Sequence, residues 1–238
     1  MTHHPFKPVL LDLLRRAQIS QNSFFQQLPQ AKLVANGTPD YWSAKDHVAH
    51  QTFWRQRLVL RLQALIGNTP QPPSENFEQR NPILFEEQRY RSWSDILLES
   101  DAVYVELLTL TAQLTEEDLI TDHRFDWTHD GDPLYTAFMG NCYEHTQQHL
   151  AQYLLDRHDL ERAIDTFEVW ARRVVEAEVP NRLKGEIFYN LACFYTTHGR
   201  QEQAWPPLQQ AFRLYPETRE FALTDPDLVT LRSHFSEK

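Results

Sequence analysis

Three histidines have the residue type and spacing needed for metal chemistry: His50, His145 and His149. His145 and His149 are four residues apart in a segment with helical periodicity, so their rings project from one face about one turn apart. Two imidazoles at this spacing can converge on one divalent ion, and His50 supplies a third nitrogen if its helix faces theirs. Three neutral imidazoles leave a coordination position for water or a substrate, as in catalytic metal sites. Taken alone, however, such a pair is more often solvated or hydrogen-bonded than metal-bound. The metal-site interpretation therefore depends on the surrounding sequence.

Three residues near these histidines are candidates for lining a pocket: Trp54, Cys142 and Trp127. Trp54 follows His50 by one turn, where it walls a pocket or, as is commoner for tryptophan, fills the core. Cys142 precedes His145 by three residues, where it approaches the ion or packs as a small apolar side chain. Trp127 lies in a polar segment and is interpreted either as a lid on the pocket or as a contact with a second domain.

Four long helices are needed to position these residues, and apolar side chains recur at helical spacing in four segments. The segments are residues 10–28, 43–67, 92–114 and 134–156. Ser43 with Asp46, and Ser92 with Asp95, have the spacing of helix caps, in which a hydroxyl and a carboxylate satisfy free N–H groups of the first turn. Together the segments predict an all-α bundle.

The connections between these helices are predicted to be irregular. Residues 68–91 contain four prolines, which disfavour a long helix and indicate an extended crossover. Residues 115–133 are rich in polar and turn-forming side chains and are predicted to form a loop.

The pattern changes after the fourth segment. Apolar residues over 160–179 predict one helix, and those over 188–216 predict two short helices that turn at Gly199. The second pattern resembles a tetratricopeptide repeat, although Pro206 and Pro207 predict that its second helix starts late or bends. Since a solenoid needs about three repeats, one repeat indicates a packing or dimerisation accessory rather than a peptide-binding groove. The predicted domains are residues 1–157 and 158–238.

Composition excludes several classes of partner. The formal net charge of −10 disfavours binding to nucleic acid, because an acidic surface repels phosphate. No apolar run approaches the length of a membrane span, and no signal-peptide pattern begins the chain. Two distant cysteines, Cys142 and Cys193, are expected to be free thiols, and the expected location is the cytoplasm.

The sequence around the histidines resembles the DinB/YfiT superfamily of four-helix bundles. The resemblance rests on WSAKDHVAH at 42–50 and NCYEHTQQH at 141–149, and it covers roughly residues 8–157. In that superfamily a tryptophan–serine helix start precedes the first ligand histidine, and a pair on the fourth helix supplies the others. This register assigns the first ligand to His50 rather than His47. Within the superfamily the chain looks most similar to bundles of the ClbS/DfsB type.

The resemblance implies a nickel or zinc ion and a low-molecular-weight thiol as cosubstrate. It thus predicts a metal-dependent enzyme acting on a small molecule, either a thiol S-transferase or a protein that detoxifies reactive electrophiles. The alternative is a non-catalytic scaffold whose tetratricopeptide-like tail recruits a protein partner or a second copy of the chain.

Overall fold

The structure of the protein is a computed structural model that describes residues 5–235. Within this range the regular structure is helical, apart from one isolated β-bridge between Thr38 and Tyr41. The all-α fold class is thereby confirmed. The helices are α1 (Phe6–Gln26), α2 (Gln30–Leu33), α3 (Ala44–Ile66), α4 (Phe77–Gln88), α5 (Trp93–Gln113), α6 (Glu116–Ile120), α7 (Tyr135–Phe138), α8 (His145–Leu155), α9 (Leu160–Glu176), α10 (Asn181–Thr197), α11 (Gln201–Leu214) and α12 (Thr218–Thr224).

Helices α1, α3, α5 and α8 form a four-helix bundle. Helices α1 and α3 each contact both α5 and α8. Their inward faces carry buried leucines, among them Leu14, Leu62, Leu107 and Leu150. Burial of an apolar stripe on each helix stabilises this arrangement.

The start of α3 is fixed by the predicted cap at Ser43. Its hydroxyl accepts from the backbone N–H of Asp46, and the Asp46 carboxylate accepts from the N–H of Ser43 at 2.8 Å. The same carboxylate accepts from the N–H of Gly37 at 3.0 Å. A Cβ on Gly37 would lie 2.1 Å from that oxygen, so only glycine fits this close approach. The cap therefore sets the first turns of α3, which carry His47 and His50.

Two predicted loops contain helices. Residues 68–91 were predicted to be extended, yet α4 occupies Phe77–Gln88 with Pro82 inside it. Asn76 caps its first turn, and burial of Leu84 and Phe85 offsets the hydrogen bond that Pro82 cannot donate. The predicted loop after residue 114 begins with the short helix α6, which has a capping box of its own.

The fourth predicted helix is continuous but not uniform. Between α7 and α8 the residues Met139–Glu144 form a π-helical turn, which has one more residue per hydrogen-bonded ring than an α-helix. The hydroxyl of Thr146 donates to the carbonyl of Cys142 at 2.7 Å where the α-helix resumes. Cys142 therefore does not stand in the α-helical relation to His145 that the sequence prediction assumed.

A buried arginine joins the four helices of the bundle. Arg55 on α3 is 0% exposed, and its Nη2 donates to Gln21 of α1 at 2.7 Å and to Thr146 of α8 at 2.8 Å. It also donates to Gln51 at 2.8 Å, and its guanidinium lies 4.3 Å from the ring centre of Tyr104 on α5. Among the described residues no carboxylate pairs with it. The charge is therefore held by neutral oxygens and an aromatic face.

Residues 160–235 form a second compact unit. Helix α10 packs against α9 and α11, and the chain turns between α10 and α11 at Gly199, which has φ +73°. The predicted turn at Gly199 is confirmed. Helix α11 begins at Gln201 and contains both prolines, so of the two predicted alternatives, a late start or a bend, the late start is wrong. No helix among residues 5–235 is long and apolar enough to cross a membrane.

We expect Arg55→Met to lower the free energy of unfolding by about 2–4 kcal/mol, because the variant leaves buried side-chain oxygens without a donor. Chemical denaturation followed by circular dichroism measures this change. Arg15→Met is the matched control, since Arg15 is an exposed arginine on α1 and its loss should change stability by less than about 0.5 kcal/mol. Equal stability of the two variants would contradict the role given to Arg55.

We also expect the proposed domain of residues 1–157 to fold alone, because its helices share their own core. A fragment with these bounds should keep helical circular dichroism and a cooperative melt. Aggregation of the fragment would show instead that apolar surface on it needs the rest of the chain as a cover.

Candidate metal centre

The bundle brings the three predicted ligands together. His50 projects from α3, and His145 and His149 project from α8. The Nε2 atom of His145 lies 3.1 Å from Nε2 of His50 and 2.9 Å from Nε2 of His149. One ligand nitrogen from each residue lies within 4.8 Å of the others. Nitrogen ligands at about 2.0–2.1 Å from a shared ion stand roughly 3 Å apart, so the observed spacing fits a divalent metal.

The protonation state of these histidines also suits a metal. Burial, and after it the positive charge of Arg55, lowers the pKa of His50 to about 4. Burial likewise lowers the pKa of His145 to about 3 and that of His149 well below its usual value, with neighbouring histidines as the next cause. All three imidazoles are therefore neutral near pH 7, which is the form that donates a lone pair to a metal.

Two further contacts orient the ligand rings. His145 is hydrogen-bonded to the backbone of Asn141, and Nδ1 of His149 lies 2.9 Å from Nδ1 of His47. A metal-ligating histidine usually donates its second N–H to such a partner, which fixes the tautomer. His47 is thus not one of the three convergent ligands, as predicted, but it touches one of them. This orienting contact joins residues 102 positions apart and has no signal in the local sequence.

Unsatisfied ring nitrogens mark the same cluster. Nδ1 of His50 and Nε2 of His47 are buried with no hydrogen-bond partner. Three Nε2 atoms that face one another cannot all be satisfied by protons, because a neutral imidazole has only one N–H. A cation shared by the three ligand nitrogens would satisfy lone pairs that otherwise repel. The donor set and its geometry therefore fit a metal ion.

Trp42 covers one side of the cluster. Its ring stacks on that of His149, with centroids 5.7 Å apart and planes 4° from parallel, and its centroid lies 5.0 Å from that of His50. In the sequence Trp42 served only to mark the helix start. Its position immediately before the α3 cap places it over the first two turns of that helix.

On another side the cluster opens to a cleft. His50 and His145 line a cavity of about 350 Å³, together with Trp54 and Phe77. The indole N–H of Trp54 donates to Asn81 of α4 at 3.1 Å. The helix that the sequence analysis missed therefore contributes a wall of the cleft. Trp54 lines this cavity, so the structure places it at a pocket wall rather than in the core position that is commoner for tryptophan.

The other two candidate pocket residues are placed differently. Trp127 lines a second cavity of about 450 Å³, of which Trp54 is also part. Cys142 is 0% exposed and lines neither cavity, so the structure places it in the core. Burial raises the pKa of its thiol to about 12. Cys142 is therefore placed as a small apolar side chain of the core, the second of the two interpretations given to it.

The fold and the site together define a helical bundle with a histidine cluster that can hold a metal ion at the side of a cleft. The model of the DinB superfamily matches residues 13–153, which include all three histidines. The match covers more than half of the chain, and the chain belongs to the DinB superfamily. Comparison with curated proteins and with solved structures found no match.

Replacing His50, His145 or His149 by alanine should abolish most of the bound divalent metal, because two imidazoles hold an ion far less tightly than three. His47→Ala should keep the stoichiometry but weaken the affinity by about 10–100-fold, as loss of an orienting partner does. Elemental analysis of protein purified without a histidine tag, followed by chelator competition, measures both quantities.

His129→Ala is the control, since His129 is an exposed histidine outside the cluster. Stoichiometric metal in the double variant His145→Ala/His149→Ala would show that the ion binds elsewhere.

Proposed function

We propose that the protein is a metal-dependent enzyme that acts on a small molecule, as a thiol S-transferase or as a handler of reactive electrophiles. The observation that carries the proposal is the convergence of three neutral imidazole nitrogens at the wall of a cleft. Within the described residues this group includes no cysteine and no carboxylate. The ligand set thus resembles that of a catalytic metal site, which keeps a position for substrate.

Each part of the site has a separate role in this proposal. His50, His145 and His149 hold a divalent ion, nickel or zinc. When bound, such an ion would lower the pKa of a coordinated thiol or water, so that a nucleophile would be available near neutral pH. His47 and the backbone of Asn141 orient two ligand rings.

The cleft beside the histidines would receive the electrophile. Trp54 and Phe77 give it apolar walls against which the carbon skeleton of a small molecule can pack. A low-molecular-weight thiol enters by the same route, because His50 and His145 face this cavity and Trp42 covers the other side of the cluster.

The alternative is a non-catalytic interaction protein that uses the tetratricopeptide-like tail. Exposed apolar side chains favour it: Phe221 is 56% exposed and Val229 is 57% exposed. Such residues on a helical unit suit contact with a protein partner or a second copy of the chain. The two functions differ in which half of the chain they require.

A spectroscopic titration separates them. With cobalt or nickel in the full-length protein, an added thiol should produce a charge-transfer band that saturates with thiol concentration. The band should appear at pH values where the free thiol is mostly protonated, because the ion lowers its pKa. It should disappear in His50→Ala and persist in Phe221→Ser, which alters only the tail.

The double variant Cys142→Ala/Cys193→Ala controls for the protein's own thiols and should give the same band. An unchanged spectrum with several biological thiols, at full metal occupancy, would contradict thiol chemistry and favour the scaffold function or thiol-independent hydrolysis.

A further inference from the structure

A larger cavity adjoins the cleft at the histidines. The cavity of about 350 Å³ beside His50 and His145 and the neighbouring cavity of about 450 Å³ share three lining residues: Trp54, Glu75 and Asn141. Two cavities that share lining residues adjoin each other, and both lie beside α3. A ligand with one end at the histidines can therefore extend along α3 into the larger cavity.

Two arginines of α3 line the larger cavity, and they differ in how their charges are balanced. Arg57 lies 3.7 Å from the carboxylate of Glu75 and donates to the carbonyl of Pro73. Arg61 forms no ion pair with any described residue, and its guanidinium lies 5.3 Å from the ring centre of Trp127. Its pKa is lowered, first by burial and then by the positive charge of Arg57. Arg61 is therefore a partly buried cation that lacks an anion.

An anion in the larger cavity would relieve this imbalance. A guanidinium binds a carboxylate through two parallel N–H donors, while the face of Trp127 fixes the plane of the fork. Glu75 and Asp132 also line the cavity, so a group with one negative charge is favoured over a doubly charged phosphate. The carboxylate is the anion that matches these conditions.

Building on the proposed function, we propose that Arg61 and Trp127 form a subsite for the terminal carboxylate of an elongated substrate or cosubstrate whose reactive end lies at the histidines. Arg61 follows His50 by eleven positions on one helix, which is a rise of about 16 Å. The ligand class is therefore a small molecule with its carboxylate roughly 10–16 Å from the reacting atom. The subsite selects substrates by charge and length.

The first experiment needs no metal. Calorimetry on the metal-free full-length protein compares octanoate with octanamide, which has the same alkyl chain but no charge. The wild type should bind octanoate about tenfold more tightly, and Arg61→Gln should bind the two equally. Arg61→Lys keeps the positive charge but loses the two parallel N–H donors of the guanidinium, so it should retain a smaller preference for octanoate. Arg15→Gln removes an exposed charge of α1 and should behave as the wild type.

The absence of a preference in the wild type, or an equal preference in wild type and Arg61→Gln, would overturn the subsite. Thermal melts establish that each variant is folded. If Arg61→Gln does not fold, the decrease from wild type to Arg61→Lys tests the same contact, and equal preferences in those two proteins would overturn it.

The second experiment uses the cobalt- or nickel-loaded protein and thiols of different length. Mercaptoundecanoate should saturate the charge-transfer band about tenfold more readily than mercaptoundecanol, and the difference should vanish in Arg61→Gln. Mercaptopropionate is too short to reach from the histidines to Arg61, so Arg61→Gln should not change its affinity. If the long acid and the long alcohol saturated the band at equal concentrations, the subsite would be refuted and the proposed function would stand. Loss of every thiol band, with the octanoate preference intact, would refute the proposed function and leave the carboxylate subsite.

Discussion

The buried charge of Arg55 is the constraint on which the bundle and its site depend. A guanidinium removed from water is costly unless it finds hydrogen-bond acceptors. Here Gln21, Gln51 and Thr146, from three helices, accept from Nη2, whereas Nε has no hydrogen-bond partner. If one of those helices shifted relative to the others, the buried charge would lose hydrogen-bond acceptors. Because His50 lies on the helix of Arg55 and His145 and His149 lie on that of Thr146, the same contacts fix the separation of the ligands. The positive charge also disfavours protonation of the imidazoles, so one residue supports both the geometry and the neutral state of the cluster.

Local signals made much of this arrangement predictable from the sequence. The four-residue spacing of His145 and His149 places two rings on one helical face, and the Ser43–Asp46 cap sets the start of the helix that carries His50. Both signals depend on a few neighbouring residues, so they can be recognised without knowing the packing. The apolar periodicity of the long helices is a signal of the same kind.

The features that the sequence analysis missed depend on contacts between distant segments. Arg55 appears in the sequence as an ordinary charged residue of an amphipathic helix, and only the packing of four helices reveals its burial. His47 acquires its role through a ring 102 positions away. Helix α4 contains Pro82 although proline has a very low helix propensity. Burial of Leu84 and Phe85 stabilises it, and the composition of residues 68–91 does not indicate that these two side chains are buried.

The π-turn at Met139–Glu144 amounts to one residue inserted into an otherwise regular helix. Since each residue of an α-helix advances by about 100°, such an insertion rotates everything that follows relative to everything that precedes it. Tyr135 and Phe138 pack into the core before the turn, and His145 and His149 follow it. The turn therefore changes the angle about the helix axis between these two pairs from the angle that a continuous α-helix would give. A chain of this family without the extra residue, but with the same apolar face before the turn, would aim the histidine pair in another direction. Whether a relative can bind metal in this way is thus a matter of helix phase as well as of which residues it carries.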